Sequence, residues 1–358
     1  MTNKPLNTFS TQLSKTIDKH LDAYIRKDGV SIDAYYDKPC FHPMAEGKYL
    51  SSLSELFSTD KITKTFFENK VNVGIKRLKN NSTSLEGENI CWGLGFKYKK
   101  GSINEPYLIT TAVILSGLNS IIDLGIQSPE TLSLQNSAIR SLEYWLKNFT
   151  VKVDKKIDFP KFSLSVGEPV FNPGIFAISI SKNPLLHEEV SDWIQSHYHP
   201  KLGWSYSPGN HRIDLLHQAY ILNSFAKLNG AKSVEQKTID LIGQFSNFDG
   251  FIDSGDFHAK VEGLFDSKIP LVRAVGDGYF EVIPKSARLW SLGELLVLVS
   301  KLSQHGEHKK SWINFGRKLS CLILNNLDSN NPEVNYYRHT MHAIHGLSSF
   351  LASIRSKN

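Results

Sequence analysis

Apolar residues recur at helical spacing along most of the chain. Leu13, Ile17, Leu21 and Tyr24 draw one stripe over residues 11–26. An irregular stretch at 28–47, holding Pro39 and Pro43, precedes helical patterns at 50–57 and 61–78. Residues 80–88 are polar and turn-rich, residues 91–98 rich in glycine and aromatics, and 101–105 form a second loop. From Pro106, which is suited to open a helix, the pattern becomes regular. It predicts helices at 107–124, at 128–149 behind the start signal Ser128-Pro129-Glu130, and then an extended stretch at 151–162. Further helices follow in pairs at 176–180 and 184–196, 212–229 and 233–245, and 286–304 and 307–327, with a last helix at 337–354.

The sum is about ten to twelve helices, mostly neighbours joined by short turns. One member of a pair is apolar almost throughout, as at 110–118 and 292–302, while its partner is charged, as at 307–318. Helices apolar all round are buried and amphipathic ones face water. The alternation predicts an all-α fold: an (α/α) barrel or toroid of helical hairpins, with long loops at one end forming a cleft. An open helical solenoid shares the rhythm. With no composition break to mark a linker, one domain is expected over 1–358, its first 90 residues less regular.

Five loops combine turn formers with aromatics: Trp92-Gly93-Leu94-Gly95-Phe96, Gly203-Trp204-Ser205-Tyr206-Ser207, Phe248-Asp249-Gly250-Phe251-Ile252, Gly276-Asp277-Gly278-Tyr279-Phe280-Glu281 and Asn335-Tyr336-Tyr337-Arg338-His339. Flat apolar rings at a cleft mouth suit the C–H faces of sugars; the same rings could instead cap the core. In His211-Arg212-Ile213-Asp214-Leu215-Leu216-His217-Gln218, a helix spacing puts Asp214, His217 and Gln218 on one face with His211 a turn earlier. A carboxylate beside an imidazole fixes its tautomer and raises its basicity, which makes a general base. A buried polar network or a metal site would use the same residues, although the spacing drifts around the helix and no HExxH or cysteine pattern supports metal. Arg273, Asp277, Glu281, Lys285 and Arg288 crowd the approach to the helix at Trp290, and Arg338, His339 and His342 gather near the last helix start. Those groups could hold a charged sugar, with an arginine clamping a carboxylate, or could be solvated pairs and helix caps.

Composition narrows the partners. Hydrophobic residues at 41% and charged residues at 21% are ordinary for a globular chain, so wholesale disorder is not expected. The net charge of +6 is not gathered on one element, the nearest cluster being Lys97, Lys99 and Lys100. Nucleic acid is therefore disfavoured, and an anionic small molecule met in a cleft suits the charge better. Cys40, Cys91 and Cys321 are odd in number and far apart, which reads as free thiols in a reducing compartment. The polar segment 1–10 lacks an apolar core and no stretch reaches membrane-spanning length, so a cytoplasmic location is expected. No Walker, GxSxG, kinase or dinucleotide motif is present, and neither cofactor nor metal is expected.

Four places carry a resemblance. Trp92-Gly93-Leu94-Gly95-Phe96 followed by Glu105-Pro106-Tyr107-Leu108-Ile109-Thr110-Thr111-Ala112, Trp204-Ser205-Tyr206 followed by Ile213-Asp214-Leu215-Leu216-His217, Ala287-Arg288-Leu289-Trp290, and Tyr337-Arg338-His339-Thr340 resemble the aromatic loops and inner-helix starts of α/α-toroid proteins from bacterial polysaccharide gene clusters. These are distantly similar to glucuronyl C5-epimerases and six-hairpin glycosidases. The DDxxD and DxDD signatures of terpenoid cyclases are absent, as is the cysteine pair of a lanthionine-cyclase zinc site. The resemblance implies a carbohydrate-active protein of cell-surface polysaccharide biosynthesis that binds an anionic saccharide, with epimerase, lyase or glycosidase-like chemistry. On that reading His217 or His211 is the base, Asp214 orients it, Arg288 or Arg338 holds a carboxylate, and Tyr337 joins the catalytic set. Trp92, Lys97, Trp204, Tyr206, Arg273, Asp277, Glu281 and His339 would bind substrate. The alternatives are a non-catalytic glycan- or protein-binding scaffold, alone or in a biosynthetic complex, and a terpenoid-cyclase-like toroid.

Overall fold

In the computed structural model, the described residues are 6–87, 89–98, 101–181, 184–200, 202–210, 212–245 and 288–355, with short strands at 252–253, 256–257 and 267–268. His211, Arg273, Asp277 and Glu281 lie outside them, as do the aromatic loops read at 248–251 and 276–281.

Twelve α-helices are present among the described residues. The odd-numbered ones are α1 (Leu6–Arg26), α3 (Lys64–Asn80), α5 (Pro129–Asn148), α7 (Pro184–Ser196), α9 (Glu235–Phe245) and α11 (Lys309–Asp328). The even-numbered ones are α2 (Pro43–Phe57), α4 (Leu108–Asp123), α6 (Phe171–Ile180), α8 (Leu215–Asn229), α10 (Leu289–His305) and α12 (Tyr337–Arg355). Each even helix packs on the next, α2 on α4, α4 on α6, α6 on α8, α8 on α10 and α10 on α12, and α12 returns to α2. The odd helices lie outside: α3, α5, α7, α9 and α11 each pack on the inner helix before them, α11 also touches α12, and α1 covers α12. The fold is an all-α toroid, and the closed ring replaces the open solenoid that shares its sequence rhythm.

The inner helices can form a tight ring because little projects between them. Gly293 and Gly346 bring α10 and α12 so close that a Cβ on Gly293 would stand 2.3 Å from the His342 carbonyl. Gly47 and Gly117 do the same for α2 and α4, where a Cβ on Gly117 would be 2.5 Å from the Gly47 carbonyl. Four inner helices also share a buried polar network. Lys48 of α2 pairs with Glu294 of α10, His342 of α12 lies 3.8 Å from Glu294, and Tyr220 of α8 donates to His342 Nε2 at 2.7 Å.

Several boundaries differ from the sequence reading, and prolines explain two of them. Pro43 is the first residue of α2 and Pro173 lies in the first turn of α6. Neither loses an intrahelical hydrogen bond there, because the first-turn N–H groups have no partner in the helix anyway. The irregular stretch before α2 is a hairpin of β1 (Val30–Asp33) and β2 (Tyr36–Phe41). The extended stretch after α5 is a hairpin of β3 (Thr150–Val153) and β4 (Ile157–Pro160). Pro106 stands outside its helix, with Tyr107 at the cap.

Connections from inner to outer helices are short (58–63, 124–128, 181–183, 230–234 and 306–308), whereas those leading into inner helices are long. The long ones therefore meet at one end. They are tied to one another: Ser165 N and Oγ donate to Glu105, Leu108 N donates to the Phe162 carbonyl, and Tyr337 N donates to Ser31 Oγ. A Gly293→Ala substitution should lower unfolding stability by about 1–3 kcal/mol in urea melts, because the helix propensity it gains is smaller than the cost of parting α10 from α12. An unchanged midpoint would show that the ring tolerates looser packing there.

Candidate active site

The loop ends enclose a cavity of about 200 Å³. Its wall includes Met44, Ile109, Asn172, Leu216, Trp290 and Arg338, which are the second residues of α2, α4, α6, α8, α10 and α12. The loops add Tyr35, Leu94, Tyr98, Phe162, Tyr206, Asn210, Arg212 and Arg288, and α8 adds His217 and Tyr220. All six inner helices point their N-terminal ends, the positive poles of their dipoles, toward this space. A hollow of about 260 Å³ at the opposite end is lined by Asn119, Asp123, Gln135, Glu143 and Lys227 among others and holds neither imidazole nor guanidinium.

The imidazole is built from the start of α8. Asp214 is the N-cap, one residue before the helix, and its Oδ1 accepts from the His217 backbone N at 2.9 Å. That cap brings the third helical residue back over the carboxylate, so His217 Nδ1 also bonds Asp214 Oδ1. The pairing thus comes from cap geometry and not from a shared helix face. With Nδ1 committed to a carboxylate, Nε2 is the nitrogen left for the cavity. Asp214 Oδ2 is 3.3 Å from Arg212 Nε. Burial opposes the Asp214 charge, but His217 and Arg212 outweigh it and bring the carboxyl down to about 2. The Tyr206 ring stands edge-on to His217 at 4.7 Å, and burial pushes its phenol well above the ordinary value, so it stays protonated. Gln218 does not join the imidazole; it clasps the Trp204 backbone, accepting from Trp204 N at 3.0 Å and donating to its carbonyl.

Arg338 lies over the Trp290 ring at 4.4 Å, and its Nε and Nη2 are held by Asp33 at 2.9 and 2.7 Å. The fork expected to clamp a substrate carboxylate is therefore engaged within the protein. Burial works against the Asp33 charge, yet Arg338 holds its carboxyl below the usual range. Arg288 caps α10 and lines the cavity, while Arg212 is partly exposed at its rim. The lining thus carries three arginines and, among the described residues, no carboxylate.

Other expected site residues stand elsewhere. Trp92 is fully buried with its indole donating to the Leu78 carbonyl at 2.8 Å, and Trp204 donates to the Ile194 carbonyl at 2.8 Å while stacking on Phe225. Both anchor loops to hairpins and present no face to a sugar in the cavity. Tyr337 donates to the Ala23 carbonyl at 3.1 Å and packs on Tyr24, joining α12 to α1. His339 is buried behind Trp290 and faces Glu333 at 3.4 Å. Lys97 is exposed and lies outside the cavity lining. The residues that the sequence reading passed over are Tyr35, Tyr98, Asn172, Arg212, Tyr220 and Trp290. The signal available for Asn172 and Trp290 was their position one residue past a helix start.

No family profile matches the chain, and no curated protein matches its sequence. Solved structures match its shape. An α-1,6-mannanase of Salegentibacter sp. aligns with a TM-score of 0.58 at 9% identity, over 96% of this chain and 99% of that one. A reducing-end-xylose releasing exo-oligoxylanase aligns at 0.56 and 12% identity, over 98% and 94%. The type II terpene cyclase MstE from Scytonema aligns at 0.53 and 9% identity, over 98% and 100%. At such identities the likeness concerns the fold, an α/α toroid. Among the described residues no helix is long and apolar enough to cross a membrane, and no group of three or more His, Cys, Asp and Glu is placed to hold a metal.

The depressed Asp33 carboxyl gives a pH prediction. A group whose folded pKa is below its unfolded value adds stability above the unfolded pKa and loses it as pH falls through the folded one. Asp33→Asn should cost about 3 kcal/mol near neutrality by leaving Arg338 buried without its counter-charge. Its deficit against wild type in melting experiments should narrow once the pH falls below the unfolded Asp33 value of 3.8. A deficit constant with pH would mean that the ion pair contributes nothing.

Proposed function

We propose that the protein is a carbohydrate-active toroid whose cavity binds a uronate-bearing saccharide and abstracts the proton α to its carboxylate. The observation that carries this is the pairing of a carboxylate-backed imidazole with an arginine-lined cavity. Other toroids named as acting on mannan and xylan agree with a saccharide ligand. Arg288 and Arg212, both in the cavity lining with His217, are the cations we assign to the substrate carboxylate.

In the reaction, His217 Nε2 takes the proton from the carbon α to the carboxylate, and the electron pair moves into the carboxylate as an enediolate. Guanidinium groups and helix N-termini stabilise the charge that develops there. Asp214 keeps the His217 tautomer fixed and offsets the imidazolium charge. The intermediate then has two fates. A proton returned to the opposite face gives the epimer. Loss of the oxygen on the β-carbon gives an unsaturated sugar, with the Tyr206 hydroxyl supplying the proton to the leaving oxygen. Glycoside hydrolysis requires two carboxyl groups across the bond. The described lining has none, so proton abstraction is the chemistry that its residues support. Three cysteines, odd in number and far apart in sequence, suit a reducing compartment and, with it, cell-surface glycan assembly in the cytoplasm.

The shared first step makes the test. Wild-type protein incubated with uronate oligosaccharides in D₂O should exchange the α-proton, and His217→Gln should slow exchange by about 10²–10⁴-fold while affinity changes far less. Equal exchange by the variant would remove His217 as the base. Binding with no exchange by wild type would leave a non-catalytic glycan-binding toroid.

A further inference from the structure

We propose that the sector of the mouth rim built from the connections into α2, α4 and α6 docks on an anionic lipid surface. The proposal stands apart from the saccharide reading and does not need it.

Among the described residues the exposed large apolar side chains are Ile32, Tyr35, Phe66, Val73, Ile103 and Leu164. Phe66 and Val73 lie on the outer helix α3. The others lie on the long connections at the mouth end. Ile32 is in β1 and Tyr35 in the turn after it, ahead of α2; Ile103 precedes α4 and Leu164 precedes α6. Since α2, α4 and α6 are consecutive in the ring, these connections form one stretch of rim. A row of rings joins them: Tyr35 meets Tyr98 edge-on at 5.7 Å, Tyr98 meets Tyr107 at 6.4 Å, and Tyr107 meets Phe162 at 5.2 Å. Two residues past Phe162, Leu164 shares with Ile103 the lining of an open hollow of about 490 Å³.

Single exposed apolar side chains are ordinary, but several gathered at one end mark an interaction surface. Ile103 and Tyr35 are the most exposed, at 57% and 51%. The apolar residues stand on three separate connections and form no flat patch. That arrangement suits entry between lipid headgroups better than the packed apolar core of a protein interface. Tyrosine is also a residue of the membrane boundary, with an apolar ring and a polar tip.

The charge around them selects the lipid. Lys97-Tyr98-Lys99-Lys100 leads to Ile103, and residues 89–104 contain no acid. Lys38 follows Tyr35 by three positions, and Lys161 precedes Leu164 by three. Most carboxylates in the same stretches are engaged. Asp33 is buried and held by Arg338, and Glu105 is buried and accepts from Ser165 N and Oγ. Asp158 pairs with Lys152, and Glu168 accepts from the Ser207 hydroxyl. Asp37 is exposed beside Lys38. Lysines flanking apolar side chains are attracted to anionic headgroups while those side chains enter the boundary below them.

The test is co-sedimentation of the full chain with vesicles of phosphatidylcholine alone and of phosphatidylcholine mixed with phosphatidylglycerol. Wild type should bind the mixed vesicles, bind the neutral ones far less, and be weakened by added salt. Lys97→Glu, outside the cavity lining, should weaken binding about tenfold, and so should Ile103→Ser combined with Leu164→Ser. Phe66→Ser combined with Val73→Ser, on α3, should leave it unchanged. Wild type that ignores the mixed vesicles would overturn the proposal, as would equal loss from the α3 pair or no loss from the Ile103 and Leu164 pair. A dimer in solution that the Ile103 and Leu164 pair abolishes, without vesicle binding, would overturn it in favour of contact between copies of the chain.

Discussion

The account depends on the close approach of α12 to α10 and α2. Without it, hairpins stacked in sequence would form an open spiral and the loops would fan out along its edge. Helices at ordinary separation, about 8–10 Å, would crowd a six-membered ring with side chains. Glycine at 293 and 346 removes the side chains where α10 meets α12. Closure also buries Lys48 against Glu294, contributed by helices far apart in sequence. A buried ion pair adds little net stability over an apolar pair of similar size, but half of one is costly. The pair therefore disfavours arrangements in which α2 and α10 are not brought together.

Ring closure also determines which residues reach the cavity. Since the second residue of every inner helix lines it, the start of each helix selects one wall residue: Met44, Ile109, Asn172, Leu216, Trp290 and Arg338. A one-residue error in a helix start therefore substitutes a neighbour for the residue at the wall. For α12 the neighbour is Tyr337, which turns outward to α1, and the next is His339, which lies behind Trp290.

This explains what was legible in the sequence. The apolar all-round pattern of α4 and α10 beside the amphipathic α11 was enough for stacked hairpins with buried and outer members, because burial alone writes that pattern, but an open solenoid would write it too. The segment before α8 stood out as polar residues at a helix start, and the structure does put His217 on Asp214. Trp92 and Trp204 looked like platforms for sugars because a glycine-flanked tryptophan reads the same whether its face is wet or dry; only the carbonyls of Leu78 and Ile194 settle it. Arg338 looked available because Asp33, its partner, lies 305 positions away. Asn172 was obscured by Pro173 and Gly174. That pair reads as a breaker, yet the proline sits harmlessly in the first turn and the glycine makes room for the Phe159 ring, 2.4 Å from where a Cβ would be.

The central claim is that one cavity, formed by loops from all around the ring, is where a saccharide binds. A crystal structure with a uronate-bearing oligosaccharide bound tests it most directly. The account predicts a sugar carboxylate beside Arg212 or Arg288, with its α-carbon within reach of His217 Nε2. A saccharide seated instead on the outer helices, or in the hollow lined by Asn119 and Lys227 at the other end, would contradict it.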